Sequence, residues 1–429
     1  MVVKDGRREQ DCAGWLARRA SRGATGWGKL APAGDPSSKL RRVLTGASDR
    51  LHIAIDAHTV GTGLAGVETY ITNLIEALAA SAEGEAHRYT LYVTRGRAGD
   101  RFAGRWPHVS VRRTLPHTPL VRLPLTFPVE LRRHAADVLH VQFTAPPFAP
   151  CPVVATIHDL SFEHLPETFK RRSWMQLRLT VRRTARTAAH IITPSEFSRR
   201  DLIETYGVAP ERVSVTHAAA APHFRPASQE AVADARRRYG IGGDYVLAVG
   251  SIQPRKNLVR LVRAYSDLRR RRSHDKLPQL VLVGKRAWLY GETLRAVEQS
   301  GVAANVIFTG YVPEQDLPAL YTGALCFVYP SYFEGFGLPP LEAMQCGAAV
   351  VAGDRTSLPE VIGDAGLLVN PFDEDAIGAA VARLIDDGDL RANLRARSLE
   401  RAARFSWAET ARQTLQVYEQ ATGGKGSDK

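Results

Sequence analysis

Residues 331–351 read SYFEGFGLPPLEAMQCGAAVV. Two carboxylates, Glu334 and Glu342, are separated by a Gly-Phe-Gly turn and a Pro-Pro step, and an apolar run follows. Gly335 and Gly337 let a ligand come close to backbone amides. Pro339 and Pro340 suit the first turn of a helix. That puts Glu342 about one turn in, where a carboxylate is favoured by the helix end whatever else it does. A stretch in this order can hold a phosphate at its glycine end and sugar hydroxyls on its carboxylates. The pair could also be the acid and nucleophile of a glycosidase, which needs about 5–5.5 Å for retention or about 6.5–9.5 Å for inversion. Continuous helix between them would give about 12 Å, but the Gly-Pro loop leaves the spacing open.

Three further segments carry chemistry. In GSIQPRKN (250–257), Arg255 and Lys256 arrive just before a helix, where free N–H groups favour anions. Two cations there suit a diphosphate; the plainer reading is a turn whose charges face water. In IHDLSFEH (157–164), His158 and Asp159 end a strand, the place where open α/β sheets bind ligands. PETFKRRSWMQLRLTVRRTART (166–187) puts Arg171, Arg178, Arg182 and Arg186 on one helical stripe. This is either a solvated face or a contact for an anionic membrane surface or a phosphorylated acceptor. His58, in the loop after the first strand, is a weaker candidate of the same kind as His158, and His164, His217 and His223 complete no metal-ligand spacing.

The elements that must position these residues follow from hydrophobic period. At 429 residues the chain suits two domains. Residues 1–50, with 11 Lys/Arg and 5 Asp/Glu, hold nearly half of the net +13 and read as a basic, disordered extension. From Leu51 a strand, a glycine-bearing loop (58–66) and a helix (67–80) open a parallel α/β domain. Strands are expected at 51–56, 89–94, 109–113, 138–143, 152–158, 188–194 and 213–217, then at 244–251, 279–285, 305–312, 325–331, 348–353 and 366–371. The predicted division is 51–225, 226–406 and a last helix with a polar tail, 407–429. Two successive βα series argue two Rossmann-like domains facing a cleft. The four cysteines form no CxxC pair and suit neither zinc nor a disulfide framework, which fits a reducing, cytoplasmic setting. No apolar run is long enough to span a bilayer, and no nucleic-acid module is visible.

From Leu51 to about Ala421 the chain resembles a family 4 (group 1) glycosyltransferase with the GT-B fold. The resemblance rests on IDAHTVGTGLAGVETY, HVQFTAPPFAPCPVVATIHDLSFEHLPETF, TPSEFSRRDL, VGSIQPRKNLVRL, FTGYVPEQDLPALY, YFEGFGLPPLEAMQCGAAVV and SLPEVIGDAGLLVNP, in that order. It implies a nucleotide-sugar donor on the second domain, an acceptor on the first, retention at the anomeric carbon and no metal. It implies that Lys256 meets the diphosphate, Glu334 the donor sugar and Glu342 the ribose. The amides of Gly335, Phe336, Gly337 and Leu338 would meet the β-phosphate and sugar. Tyr311 and Val312 would read the base, His158 would approach the sugar across the cleft, and the loop Gly63 to Gly66 would close over the phosphate. Ser251 stands where many members carry a second cation, which Arg255 would then supply. The last helix would cross back to the first domain. With no free carboxylate for a double displacement, same-face attack is expected, the leaving phosphate taking the acceptor's proton. The donor expected is GDP-mannose, with UDP-glucose as the alternative, and the acceptor is a glycan or lipid-linked intermediate of a surface polysaccharide. Peripheral contact with the inner face of the membrane goes with such an acceptor. An inactive binding protein of the same fold would have lost Lys256, Glu334 or Glu342, and all three are present.

Overall fold

Short aliphatic and β-branched runs, each ended by a glycine or polar turn, form two wholly parallel sheets in the computed structural model of the protein. It describes residues 50–63, 65–272, 277–285 and 290–423. All but Arg50 of the expected basic extension, and most of the polar tail, lie outside the described residues.

The first sheet comprises β1 (His52–Asp56), β2 (Arg88–Val93), β3 (Val109–Arg113), β4 (Val138–Gln142), β5 (Val153–Thr156), β6 (His190–Thr193) and β7 (Val213–Val215). The second comprises β8 (Tyr245–Val249), β9 (Gln279–Val283), β10 (Val306–Gly310), β11 (Cys326–Tyr329), β12 (Val350–Gly353) and β13 (Gly366–Val369). Their orders are β3-β2-β1-β4-β5-β6-β7 and β10-β9-β8-β11-β12-β13. Each sheet therefore reverses direction once, between β1 and β4 and between β8 and β11. Such switch points open a crevice beyond the strand ends, where doubly wound folds take their ligands. Burial on both faces explains why the strands read as near-continuous apolar runs rather than alternating ones.

Seven helices matter for the site: α1 (Ala65–Ala80), α2 (Phe127–Arg133), α3 (Arg171–Thr187), α4 (Glu196–Tyr206), α5 (Leu258–Arg271), α6 (Leu338–Gln345) and α7 (Trp407–Ala421). The α1 helix starts at Ala65, so Gly66, expected in the preceding loop, lies in its first turn. Glu68 explains the early start: its carboxylate accepts from the amides of Gly61 and Gly63, both at 2.7 Å, and gathers the loop onto the helix N-terminus.

The α7 helix leaves the second domain and packs on the first. Tyr418 is fully buried and its hydroxyl lies 2.6 Å from His140 Nδ1, while His140 Nε2 lies 2.7 Å from the Thr156 hydroxyl. Trp407 meets the ring of Tyr70 at 5.7 Å. One apolar cluster runs through Ile53, Tyr70, Leu415, Tyr418, Leu341 and Val350, so the core is continuous between the domains. Among the described residues no helix is long and apolar enough to cross a membrane.

Candidate active site

The crevice between β8 and β11 collects the residues singled out by type. Beyond β8 the chain turns through Gly250 and Ser251 into a tight turn, Pro254–Lys256, before α5. Asn257 caps this turn in the left-handed region (φ 59°), and its side-chain amide donates to the Pro330 carbonyl at 3.0 Å and the Pro371 carbonyl at 2.5 Å. Those bonds pin the turn to the loops after β11 and β13. Beyond β11 come Ser331 and Glu334.

The two loops meet in one ionic cluster. Lys256 Nζ lies 2.6 Å from Glu334 Oε1, and Arg255 Nη1 lies 2.7 Å from Glu334 Oε2. The Ser331 hydroxyl lies 2.6 Å from Oε1 and the Tyr329 hydroxyl 3.1 Å from it. Lys256 also donates to Tyr329. Burial alone would raise the Glu334 carboxyl, but Arg255 and Lys256, with hydrogen bonds from Lys256 and Ser331, outweigh it and hold it at about 2. Burial and the Arg255 charge push Lys256 down to about 8, against the pull of Glu334 and Asp159. The inequality is geometric: the carboxylate is paired with two cations, whereas each cation is paired with one carboxylate.

The Gly-Phe-Gly turn (335–337) shapes the rest. The amide of Glu334 donates to the Thr356 hydroxyl at 3.1 Å, and Ser357 Oγ lies 2.9 Å from the carbonyls of both Glu334 and Phe336. Gly337 takes φ 104°, which disfavours any side chain, and caps α6. Among the described residues no acceptor engages the amides of Gly335, Phe336, Gly337 or Leu338. Four successive free amides at a helix start, with the buried Lys256 and half-buried Arg255 on the facing loop, have the make-up of an anion cradle.

Gly335 serves a second purpose. A Cβ there would stand 2.1 Å from the His158 carbonyl oxygen and 2.8 Å from Asp159 Cβ. The close approach expected of a ligand is made at this residue by the first domain itself. Ser195 Oγ donates to the Gly335 carbonyl at 2.6 Å, and Ser198 Oγ lies 2.9 Å from the His158 carbonyl. Nearby, Glu360 accepts from the amides of Glu196 and Phe197 at 2.9 and 3.2 Å, at the N-terminus of α4. His158 is half-buried between Tyr70 (4.8 Å edge-on) and Phe143 (5.3 Å), with Nε2 2.7 Å from Gln142 Oε1. Burial lowers it to about 4, so the ring is neutral at pH 7.

Glu342 departs from the helix-end reading. It is the fifth residue of α6 and turns inward, accepting from the Tyr321 hydroxyl at 3.1 Å. Burial dominates and pushes its carboxyl up to about 7, the opposite of helix-end stabilisation. Glu334 and Glu342 thus have different partners and opposite shifts. The expected base-reading segment splits in its environment: Val312 is buried, whereas Tyr311 is 63% exposed with the Lys285 ammonium 4.5 Å from its ring centre. Gly66 is exposed, with no atom of another residue near its Cβ position. Ser251 is half-buried, and Arg255 is the second cation beside Lys256. His164, His217 and His223 each face a carboxylate, Asp201, Glu360 and Glu314. Residues overlooked in the sequence are Tyr321, Tyr329, Ser331, Ser357 and the pair Ser195 and Ser198. Tyr329, Ser331 and Ser195 stand where apolar runs end, which is a visible signal; Tyr321, Ser198 and Ser357 carry none.

Comparison with known proteins identifies the family and the fold. The model for "Glycosyl transferases group 1" matches residues 233–401, and that for "Glycosyltransferase Family 4" matches residues 64–220. The chain is 37% identical over 266 residues to O-antigen chain mannosyltransferase B of Escherichia coli, covering 62% of this chain and 69% of that protein. It is 34% identical over 231 residues to the serotype-specific mannosyltransferase WbdA of Escherichia coli, covering 53% of this chain but only 28% of that longer protein. Among solved structures, sucrose-phosphate synthase of Thermosynechococcus elongatus superposes with a TM-score of 0.69 at 21% identity, over 88% of this chain and all (100%) of that one. This likeness shows the fold.

Proposed function

Because the chain belongs to the family 4, group 1 glycosyltransferases and has their two-domain fold, we propose that this hexosyltransferase moves mannose from GDP-mannose to a glycan or lipid-linked acceptor of a surface polysaccharide, with retention. The observation that carries the reading is the cluster Lys256–Glu334–Arg255 beside four free amides at the β8/β11 crevice. The mannose assignment is supported by relatives named as mannosyltransferases at 34–37% identity.

In this reading the amides from Gly335 to Leu338, Lys256 and Arg255 receive the diphosphate. They stabilise the charge that grows on the leaving oxygen, and supply the neutralisation a divalent cation would otherwise give. Glu334 aligns the two cations and presents its oxygens to the sugar hydroxyls. Glu342 receives the ribose hydroxyls. His158, neutral, approaches the sugar from the first domain. Both Glu334 oxygens are held by cations and the group is strongly ionised, so it makes a poor nucleophile. That supports same-face attack, with the leaving phosphate accepting the acceptor's proton. The contacts of Gly335 with His158 close the cleft against water, which favours transfer over hydrolysis.

The test is calorimetric titration of the purified protein with GDP-mannose and UDP-glucose, followed by NMR of the product's anomeric proton. Tight GDP-mannose binding and an α-linked product support the proposal. Preference for UDP-glucose removes the mannose assignment, and an inverted product removes the same-face mechanism.

A further inference from the structure

We propose that Ser195 and Ser198 of the first domain are positioning residues for the leaving diphosphate, acting by fixing the Gly335–Phe336 peptide of the anion cradle. The inference rests on the reading of that cradle as the diphosphate site. The amides of Gly335, Phe336 and Gly337 belong to three successive peptide units, whose carbonyls are those of Glu334, Gly335 and Phe336. All three units are trans. A trans peptide is planar, and its N–H points opposite to its C=O, so whatever holds the carbonyl aims the amide.

Each of these carbonyls is held by a buried serine. Ser357 Oγ lies between the Glu334 and Phe336 carbonyls and holds the two outer units from within the second domain. The middle carbonyl, that of Gly335, accepts from Ser195 Oγ at 2.6 Å and from Ser198 Oγ at 3.1 Å. Among the described residues these two hydroxyls, both from the first domain, are its hydrogen-bond donors. This is also the unit that most needs holding. Gly335 has no Cβ to restrict rotation, so the peptide after it turns over at small cost unless its carbonyl is tied down.

The serines are themselves fixed. Ser195 is fully buried and caps α4, its Oγ accepting from the Ser198 amide at 3.1 Å. An oxygen that accepts on that side turns its own proton away, and here it meets Gly335. Ser198 Oγ stands between the Gly335 carbonyl and the His158 carbonyl, 2.9 Å from the latter. Glu360 of the second domain accepts from the Glu196 and Phe197 amides and keeps this helix end seated over the turn. The aim of the Phe336 amide is then set by the seating of α4 on the second domain. A donor already aimed at the growing charge stabilises it without reorganising during the reaction. The converse follows from linkage: a ligand that draws on the aimed amide favours the seated arrangement.

The experiment is calorimetric titration of the full chain with GDP, GMP, UDP and UMP. The proteins are the wild type, Ser195→Gly, Ser198→Ala and the double variant. Glycine is tolerated at a helix cap and alanine within a helix, so α4 is kept, and Tm checks folding. The readout is the ratio of diphosphate to monophosphate affinity within one base, because only the diphosphates carry the phosphate assigned to the cradle. The inference is supported if that ratio falls about tenfold or more in the double variant, with monophosphate affinity held within about twofold. A smaller fall of the same sign in each single variant completes the support. It is overturned if diphosphate and monophosphate affinities fall in parallel, as loss of a merely structural contact would give, or if neither changes. Should the double variant not fold, wild-type ratios in both single variants overturn it equally. A wild type that prefers UDP removes the GDP assignment and leaves the ratio, read in the uridine series, to decide this inference. A wild type that binds diphosphates no better than monophosphates overturns both.

Discussion

Donor affinity should depend on pH through Lys256, in a direction opposite to its effect on stability. In the free protein its ammonium is lowered from 10.5 to about 8 by burial and by Arg255. An incoming diphosphate adds negative charge beside it and restores the proton. Below pH 8 the lysine is charged in both states and affinity is flat. Above pH 8 the free protein must take up a proton to bind, and affinity falls about tenfold per pH unit. Between about pH 7.5 and 9.5 this amounts to about a 25-fold loss, or about 2 kcal/mol. The unliganded protein responds the other way. The unfolded chain holds this proton more tightly, so stability rises with pH from 8 toward 10.5. Calorimetry of GDP-mannose in buffers of different ionisation enthalpy should register uptake of close to one proton near pH 9. Lys256→Met keeps the stem and loses the charge; it should bind more weakly, with a flatter profile. Comparing the two proteins separates the lysine from titration of the guanine base. Zero proton uptake near pH 9, with parallel profiles for the two proteins, would refute the reasoning.

Glu342→Gln should stabilise the free protein while weakening donor binding. Its carboxyl is raised from 4.5 to about 7, so the associated stability is full below 4.5 and lost as pH rises through 7; removing the charge recovers up to about 3 kcal/mol at pH 8, seen as a higher Tm. An unchanged or lower Tm at pH 8 would contradict this. The same variant should lose about 1–3 kcal/mol of GDP-mannose affinity, because ribose hydroxyls lose a charged acceptor; equal affinity by calorimetry would remove the ribose role. Gly335→Ala would drive a methyl to within 2.1 Å of the His158 carbonyl, holding the cleft open by an ångström or more; kcat should fall about 100-fold. Near-wild-type turnover would show that this contact is not needed for the reaction. On the proposal that Lys256 and Arg255 supply the positive charge, a chelator should leave the transfer rate unchanged, and restoration of a lost rate by added divalent ion would overturn that account.

The architecture was legible because both sheets are buried on their two faces. Every expected strand is found within a few residues, since a doubly buried strand is an apolar run and Gly or Pro marks its end. The order of motifs placed Lys256 and Glu334 in one crevice, because the loops after β8 and β11 meet where the sheet reverses. The linkage between them was not legible. Glu334 and Lys256 are 78 residues apart, and nothing local announces that they share a hydrogen bond. Reading one as a sugar contact and the other as a phosphate contact missed that each sets the other's charge. Glu342 misled for a related reason. Helix position suggested favourable electrostatics, but side-chain direction and burial decide the sign, and both are tertiary. Gly335 and Gly66 show the limits of glycine as a signal: one admits a backbone from the other domain, the other begins a helix.

The crossover of α7 bears on how the protein is made. Tyr418 completes the packing around His140 and, through Thr156 and Tyr70, the wall against which His158 rests. The residues that finish the first domain are therefore made only after the whole second sheet. A nascent chain that has already emitted all seven strands of the first sheet still exposes the apolar groove that Leu415 and Tyr418 will fill. Truncation before Trp407 removes not a decoration but a piece of the first domain's interior.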